Sequence, residues 1–275
     1  GVRLVGSEMC IRDRLYSPQG MQSEGYERLN KYQTGYRVGR LDNEWHFTGG
    51  PFIELDNGHD FYAAQTLLAP DGRRLVWAWL DMWESPMPSQ AHHWCGMLGL
   101  PRELELSADR LCMFPARELT ALRQAALPST PWWDEQGTRD VPHVNGDRLE
   151  IHVHLDVLDC TDGHLGIALR CSDDGHEQTL LYYDAVLQRL VLDRSRSGAQ
   201  VTGQRSVAID PTQGLLALRV FLDRSSIEVF DENGRFSLSS RLYPQPGSLG
   251  VKLVASGSGG RVSISRAWSL ASGWL

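Results

Sequence analysis

Two short segments concentrate the side chains that could do chemistry. Asp56-Asn-Gly-His-Asp60-Phe-Tyr-Ala-Ala-Gln65 gathers two carboxylates, an imidazole, a phenol and the amide of Gln65, with that of Asn57, around a strand start. Carboxylates and amides bind hydroxyls, and aromatic faces cover the C–H surface of a sugar ring, so this is the kit of a carbohydrate site. The same residues read equally as a turn followed by a strand whose Phe61 and Tyr62 are core. The second segment, Trp77-Ala-Trp79-Leu-Asp81-Met-Trp83-Glu84, adds three indoles and two more carboxylates. Glycoside hydrolysis uses a pair of carboxyl groups across the scissile bond. A loop charge is the plainer reading of Asp81 and Glu84, since exposed acids are the norm. Strand alternation puts Trp77 and Trp79 on one face, expected to be buried, with Trp83 beyond the strand where an aromatic can line a mouth. His152, His154 and Asp156 also share a strand face. Without further ligands they predict a solvated face rather than a metal site, and His92-His93 a polar loop.

The elements that must position these groups read as strands. Tyr32 to Val38, Trp45 to Phe47, Phe61 to Leu67 and Leu75 to Leu80 are short apolar runs bounded by Asp42-Asn43, Asn57-Gly58 and Asp71-Gly72. Such runs suit a propeller blade or a sandwich. Pro115 to Ala126 has Leu119 and Leu122 three apart and predicts a short helix or connector. Beyond it, Leu149 to Val157 alternates strictly, with Ile151, Val153, Leu155 and Val157 on one face. About nine half-buried strands at short spacing then predict a β-sandwich. The organisation expected is a leader over 1–14, a first β unit over 15–110, a connector over 111–130 and the sandwich over 131–275.

Composition bounds the function. The 275 residues are 41% hydrophobic with a net charge of −7, which argues against a nucleic-acid binder, because phosphate contacts need clustered Lys and Arg. No apolar run approaches the roughly 18 residues of a membrane helix. Five cysteines without CxxC spacing indicate neither a disulfide framework nor a zinc site, and predict a reduced, cytoplasmic protein. The opening GVRLVGSEMCIRDR has no long apolar stretch and no strand or helix period, so it is not a secretory signal. It is expected to be non-native, with native sequence from near Leu15 and an N-terminal part missing.

Ordered motifs carry a resemblance that spacing alone does not. Ser17-Pro-Gln-Gly20, Tyr36-Arg-Val-Gly39, Asp60-Phe-Tyr-Ala-Ala-Gln65, Trp79-Leu-Asp-Met-Trp-Glu-Ser-Pro-Met-Pro88, Trp94-Cys-Gly-Met-Leu98 and Leu100-Pro-Arg-Glu-Leu104 occur in that order. Leu222-Asp-Arg-Ser-Ser-Ile-Glu-Val-Phe230 and Ser239-Ser-Arg-Leu-Tyr-Pro244 follow. From Leu15 to the end the chain resembles glycoside hydrolase family 32. The resemblance implies an all-β chain, the last blades of a five-bladed β-propeller followed by a C-terminal β-sandwich. It implies retaining hydrolysis of terminal β-D-fructofuranosides, with a carboxylate nucleophile and a carboxyl acid/base. In the family these stand in Asn-Asp-Pro-Asn-Gly and Glu-Cys-Pro motifs, and a transition-state Asp in Arg-Asp-Pro. None of the three occurs here, and Glu84-Ser-Pro86 belongs to the later Trp-Glu-Ser-Pro segment, so no catalytic residue is assigned.

What carries over is a substrate wall. Tyr62 matches the tyrosine facing the acid/base and the sugar, Trp83 a pocket-lining tryptophan, and Asp60 and Gln65 are expected to lend polar support. Phe61 and Trp79 are expected in the core. The expected function is that of a β-fructofuranosidase fragment acting on sucrose, sucrose-6-phosphate or short fructans, inactive alone. The alternative is a non-catalytic carbohydrate-binding or assembly module. A small carbohydrate is the expected partner, with no nucleic acid, membrane, metal or organic cofactor. Residues 15 to about 110 are expected to be marginally ordered in isolation, and the sandwich to stand on its own core.

Overall fold

The computed structural model describes residues 3–5, 12–107 and 110–273, and every strand pair in it is antiparallel. The first unit is two sheets. Strands β1 (Arg3–Val5), β2 (Arg12–Tyr16), β3 (Gly35–Leu41) and β4 (Phe47–Gly49) lie side by side in chain order, with β5 (Ile53–Glu54) also paired to β3. A four-stranded meander follows: β6 (Tyr62–Leu68), β7 (Arg74–Trp79), β8 (Arg102–Ser107) and β9 (Arg110–Pro115). Both sheets feed one apolar cluster, built around Leu15, Tyr36, Phe61, Val76, Ala78 and Leu104. The predicted Asp71-Gly72 turn joins β6 to β7, with Gly72 at a φ of +88° that favours glycine.

The second unit begins with β10 (Arg123–Leu127), β11 (Thr130–Trp133), β12 (Gly137–Asp140) and β13 (Leu149–Asp156). It continues through β14 (His164–Cys171), β15 (Gln178–Asp184), β16 (Arg189–Arg196), β17 (Gln204–Ala208) and β18 (Leu215–Asp223). It ends with β19 (Ser226–Asp231), β20 (Ser237–Arg241), β21 (Gly250–Ala255) and β22 (Arg261–Leu270). One sheet runs β10-β22-β13-β18-β19-β20, with β11 also on β22, and the other runs β12-β21-β14-β15-β16-β17. The two sheets share one core, to which β13 gives Ile151, Val153 and Leu155, and β14 gives Ile167 and Leu169. Fully burying each such side chain is worth about 1.5–3 kcal/mol. The alternation read from Leu149 to Val157 is therefore the face that this core covers.

Two expectations change. The stretch from Pro115 to Ala126 is not an α-helix: a 3-10 turn spans Arg117–Leu122, and the chain extends at Arg123 to pair with β22. Leu119 and Leu122 satisfy a period of three as well as one of 3.6, and only Leu119 is buried. In β7 the buried face is Val76 and Ala78, leading to Leu80, while Trp77 and Trp79 are half-exposed on the other face. The small Val76 and Ala78 fit against Phe61 and Tyr36 in the shared cluster. Of the first 14 residues, 3–5 and 12–14 lie in strands, and β2 pairs with β3 from Arg12↔Gly39 to Tyr16↔Gly35. Those positions do form structure, and the others fall outside the described residues.

Candidate functional site

The segment Asp56–Asp60 is a strap laid along β20, the last strand of its sheet. Asn57 N–H donates to the Ser237 carbonyl at 2.8 Å and Asp60 N–H to that of Ser239 at 3.1 Å. A Cβ on Gly58 would meet the Ser239 carbonyl oxygen at 2.0 Å, so only glycine permits this approach. The strap crosses a buried ionic knot. Arg102, in the Leu100-Pro-Arg-Glu-Leu104 motif, donates from Nη1 to Asp56 Oδ2 at 3.0 Å and from Nη2 to Glu228 Oε2 at 2.6 Å. Its guanidinium stacks on Phe61 at 4.2 Å and Phe230 at 4.8 Å. The hydroxyls of Ser237 and Ser239 each donate to Asp56 Oδ2 at 2.7 Å. The sequence signatures around Glu228 and Ser239 thus supply the knot that ties the two units together.

Beyond the strap stands a wall of aromatic side chains. Tyr62 opens β6, pairs with Trp79 across the ladder, and packs on Tyr32 with ring centroids 5.5 Å apart. Gln19 Nε2 donates to the Tyr62 hydroxyl at 3.3 Å. Ala63 has a φ of +55°, which bends the strand, and its N–H donates to Thr34 Oγ1, itself 2.9 Å from Ser17 Oγ. The Ser17-Pro-Gln-Gly20 motif and Tyr32-Gln-Thr34 therefore converge behind and beside Tyr62. Trp83 is 55% exposed and leans on Trp79, centroid to centroid 5.0 Å. Lys31 and Glu84 form an ion pair across the rim, and Lys31 also sits over the Tyr32 ring at 5.9 Å. Two cavities, about 200 and 470 Å³, lie instead at the junction of the units, around Arg110, Arg189 and Glu54; no wall residue lines them.

The structure therefore brings Tyr62 and Trp83 to one face and adds Gln19, Tyr32 and the Lys31–Glu84 pair. Gln19 lies in the Ser17-Pro-Gln-Gly20 motif, which by itself assigns it no role, and Tyr32 opens a run that reads only as a strand. Gln65 is exposed, and a bulge after Tyr62 sets it opposite Trp77, one step farther from Trp83. Asp60 is elsewhere: it is buried, and its Oδ2 accepts from Arg194 Nη1 and, at 2.8 Å, from Arg241 N–H. Asp81 is not a loop charge either, being buried against Arg241 at 3.2 Å. Burial, with the charge of nearby Asp60, pushes its carboxyl above the ordinary range despite the Met82 N–H and Arg241. Tyr62 itself is only 8% exposed, so the open ring face is that of Trp83, with the Gln19 amide beside it, while Asp60, Asp81 and Glu84 are already held by cations.

His152 and His154 are not a bare solvated face. The His152 ring bonds Glu150 at 3.2 Å and Glu232 at 2.9 Å, and His154 packs against Trp132. Among the described residues no three His, Cys, Asp or Glu side chains are placed to hold a metal ion. His92 and His93 are exposed beside a 3-10 turn. His59 is buried in the strap, its Nδ1 2.7 Å from Ser240 Oγ. Burial first, then the charges of Arg194 and Arg205, hold its pKa well below 6.5. An unfolded strap binds that proton more readily, so the stability it gives is complete above 6.5 and is lost as pH falls below it. Hydrogen exchange should show protection of residues 57–61 falling between about pH 7 and 5, and His59→Gln should remove that dependence. Protection independent of pH in the parent would refute it.

An all-β chain with this wall has clear relatives. Residues 9–115 match the glycosyl hydrolases family 32 N-terminal domain, and residues 118–269 match the glycosyl hydrolases family 32 C-terminal domain. The chain belongs to glycoside hydrolase family 32. The sucrose-6-phosphate hydrolase of Zymomonas mobilis subsp. mobilis is 40% identical over 249 residues, which are 88% of this chain and 47% of that protein. The raffinose invertase of Escherichia coli is 39% identical over 257 residues, 93% of this chain and 52% of that one. The GH32 β-fructofuranosidase of Bombyx mori superposes with a TM-score of 0.80 at 30% identity, covering 98% of this chain and 53% of that structure. The chain spans about half the length of the curated relatives it matches.

Proposed function

We propose that this chain supplies one wall of the fructosyl pocket of a retaining β-fructofuranosidase acting on sucrose, sucrose-6-phosphate or short fructans. The observation that carries the reading is Tyr62, tethered by Gln19, stacked on Tyr32 and continued by Trp79 and Trp83. Such a face covers the C–H surface of a sugar ring while the phenol and amide meet its hydroxyls. Asp60 serves by holding the wall rather than by touching sugar, and Gln65 by extending its edge. The sheets of residues 3–115 are read as the last propeller blades, and the two sheets with one core as the β-sandwich. The family's nucleophile and acid/base motifs do not occur in the 275 residues, so the chain alone does not turn over sucrose. The free thiols Cys95, Cys112, Cys160 and Cys171 support a reducing, cytoplasmic working place.

The test is fructose release from sucrose and sucrose-6-phosphate, alongside fructoside binding read by tryptophan fluorescence. No release above buffer is expected, with a weak fluorescence response that Tyr62→Ala abolishes. Release that is lost on substituting Asp60, Asp81 or Glu84 would overturn the reading, and so would binding indifferent to Tyr62. That last outcome would favour the non-catalytic module.

A further inference from the structure

We propose that Arg241, a residue of the second unit, is the positioning residue for the substrate wall, fixing Tyr62 and Trp83 relative to one another. The inference rests on the reading of that wall as a fructoside surface. Two buried carboxylates stand at matching places: Asp60 two residues before Tyr62, and Asp81 two residues before Trp83. Both are 1% exposed, and both end on Arg241. Its backbone N–H donates to Asp60 Oδ2 at 2.8 Å, and its Nη1 to Asp81 Oδ2 at 3.2 Å. Nη1 also reaches the Leu80 carbonyl at 3.5 Å, so the strand end leading to Trp83 is held twice.

Arg241 is itself immobilised. Its Nε donates to the Ser225 carbonyl at 3.0 Å, and its guanidinium lies between the rings of Trp94, at 5.3 Å, and Tyr243, at 5.1 Å. Arg194 completes the clamp, donating from Nη1 to Asp60 and, at 3.2 Å, to the Arg241 carbonyl. Here one residue holds both chain ends at the open end of the β6–β7 hairpin, Asp60 by its backbone N–H and Asp81 by its guanidinium, and an aromatic of the wall follows each at the same spacing. A planar guanidinium locked by several partners sets geometry as well as charge, which a flexible ammonium does not. Preorganising the groups that touch a ligand is what such support contributes.

The wall should report its own geometry, because the indoles of Trp79 and Trp83, 5.0 Å apart and tilted by 49°, are expected to couple and give an exciton couplet in circular dichroism. Loss of the couplet in Trp83→Phe assigns it. In the full chain, Arg241→Met is expected to at least halve the couplet. It should also speed amide exchange about tenfold at residues 82–84, while residues 62–63, whose Asp60 keeps the Arg241 backbone N–H and Arg194, and β13 and β18 keep their protection. Arg241→Lys should recover part of the couplet. Asp81→Asn, which leaves the Asp60 link intact, should weaken the couplet and loosen 82–84 alone, and it serves if Arg241→Met does not fold. An unchanged couplet in a folded Arg241→Met or Asp81→Asn chain would overturn the clamp, as would exchange raised equally everywhere. An unresponsive couplet in a chain that binds fructosides defeats the clamp alone. A responsive couplet in a chain blind to fructosides defeats the substrate role.

Discussion

Arg102→Met is expected to lower the unfolding free energy by about 3–5 kcal/mol, the cost of breaking a buried charge cluster from one side. Arg102 is fully buried and serves two carboxylates with two different nitrogens, Asp56 through Nη1 and Glu228 through Nη2. Removing it leaves two carboxylates facing each other out of water, with only serine hydroxyls and backbone N–H groups for Asp56 and the Leu100 N–H for Glu228. Arg102→Lys should recover little, because one ammonium on a flexible stem cannot fill both places. Urea denaturation followed by tryptophan fluorescence measures the loss. A change below about 1 kcal/mol, the scale of an exposed pair, would show that the knot is not what joins the units.

Glu150→Gln should change the acid sensitivity of the second unit. The Glu150 side chain is fully buried on β13 and bonds Arg123 through both oxygens, Arg219 at 2.6 Å and His152 at 3.2 Å. Burial alone would raise its pKa, but the hydrogen bonds from Arg123 and His152 and the charge of Arg219 outweigh burial and hold it down to about 2 from 4.5. A folded value below the unfolded one gives stability that is complete above 4.5 and lost as pH falls toward 2. At about 1.4 kcal/mol per unit, the difference is about 3 kcal/mol. The variant should lose stability of that order at neutral pH and show a flatter profile between those values. Parallel pH profiles for parent and variant would count against the assignment.

Local pattern made the strands legible, and distance in the chain hid what joins them. Leu149 to Val157 announces its own buried face because alternation is local. It does not announce that Glu150, on the other face, is buried too: that needs Arg123, 27 residues before it, and Arg219, 69 after. Asp60 is expected from its neighbours to lend polar support, but what holds it is not local, since its arginines lie 134 and 181 residues on. Trp77 and Trp79 were rightly put on one face, but a period of two does not say which face is covered. Their neighbours Val76 and Ala78 won because Phe61 and Tyr36 wait on that side. The wall was half legible: Tyr62 and Trp83 came through motif resemblance, whereas Gln19 and Tyr32 needed the fold to bring them beside it.

The strap along β20 bears on how the chain can be divided. Ser237–Arg241 end a sheet, and an uncovered terminal strand is a template on which another chain can pair. Residues 57–60 occupy that template with backbone hydrogen bonds, and Gly58 lets them come close enough to fill it. A second unit cut free near residue 118 would keep its whole apolar core and still be incomplete, with bare peptide groups along a row of serines. Self-sufficiency of the core and self-sufficiency of the fold are different properties in this chain. In the full chain the strap of the first unit covers that edge, so a chain cut near residue 118 is expected to self-associate more readily than the full chain in sedimentation.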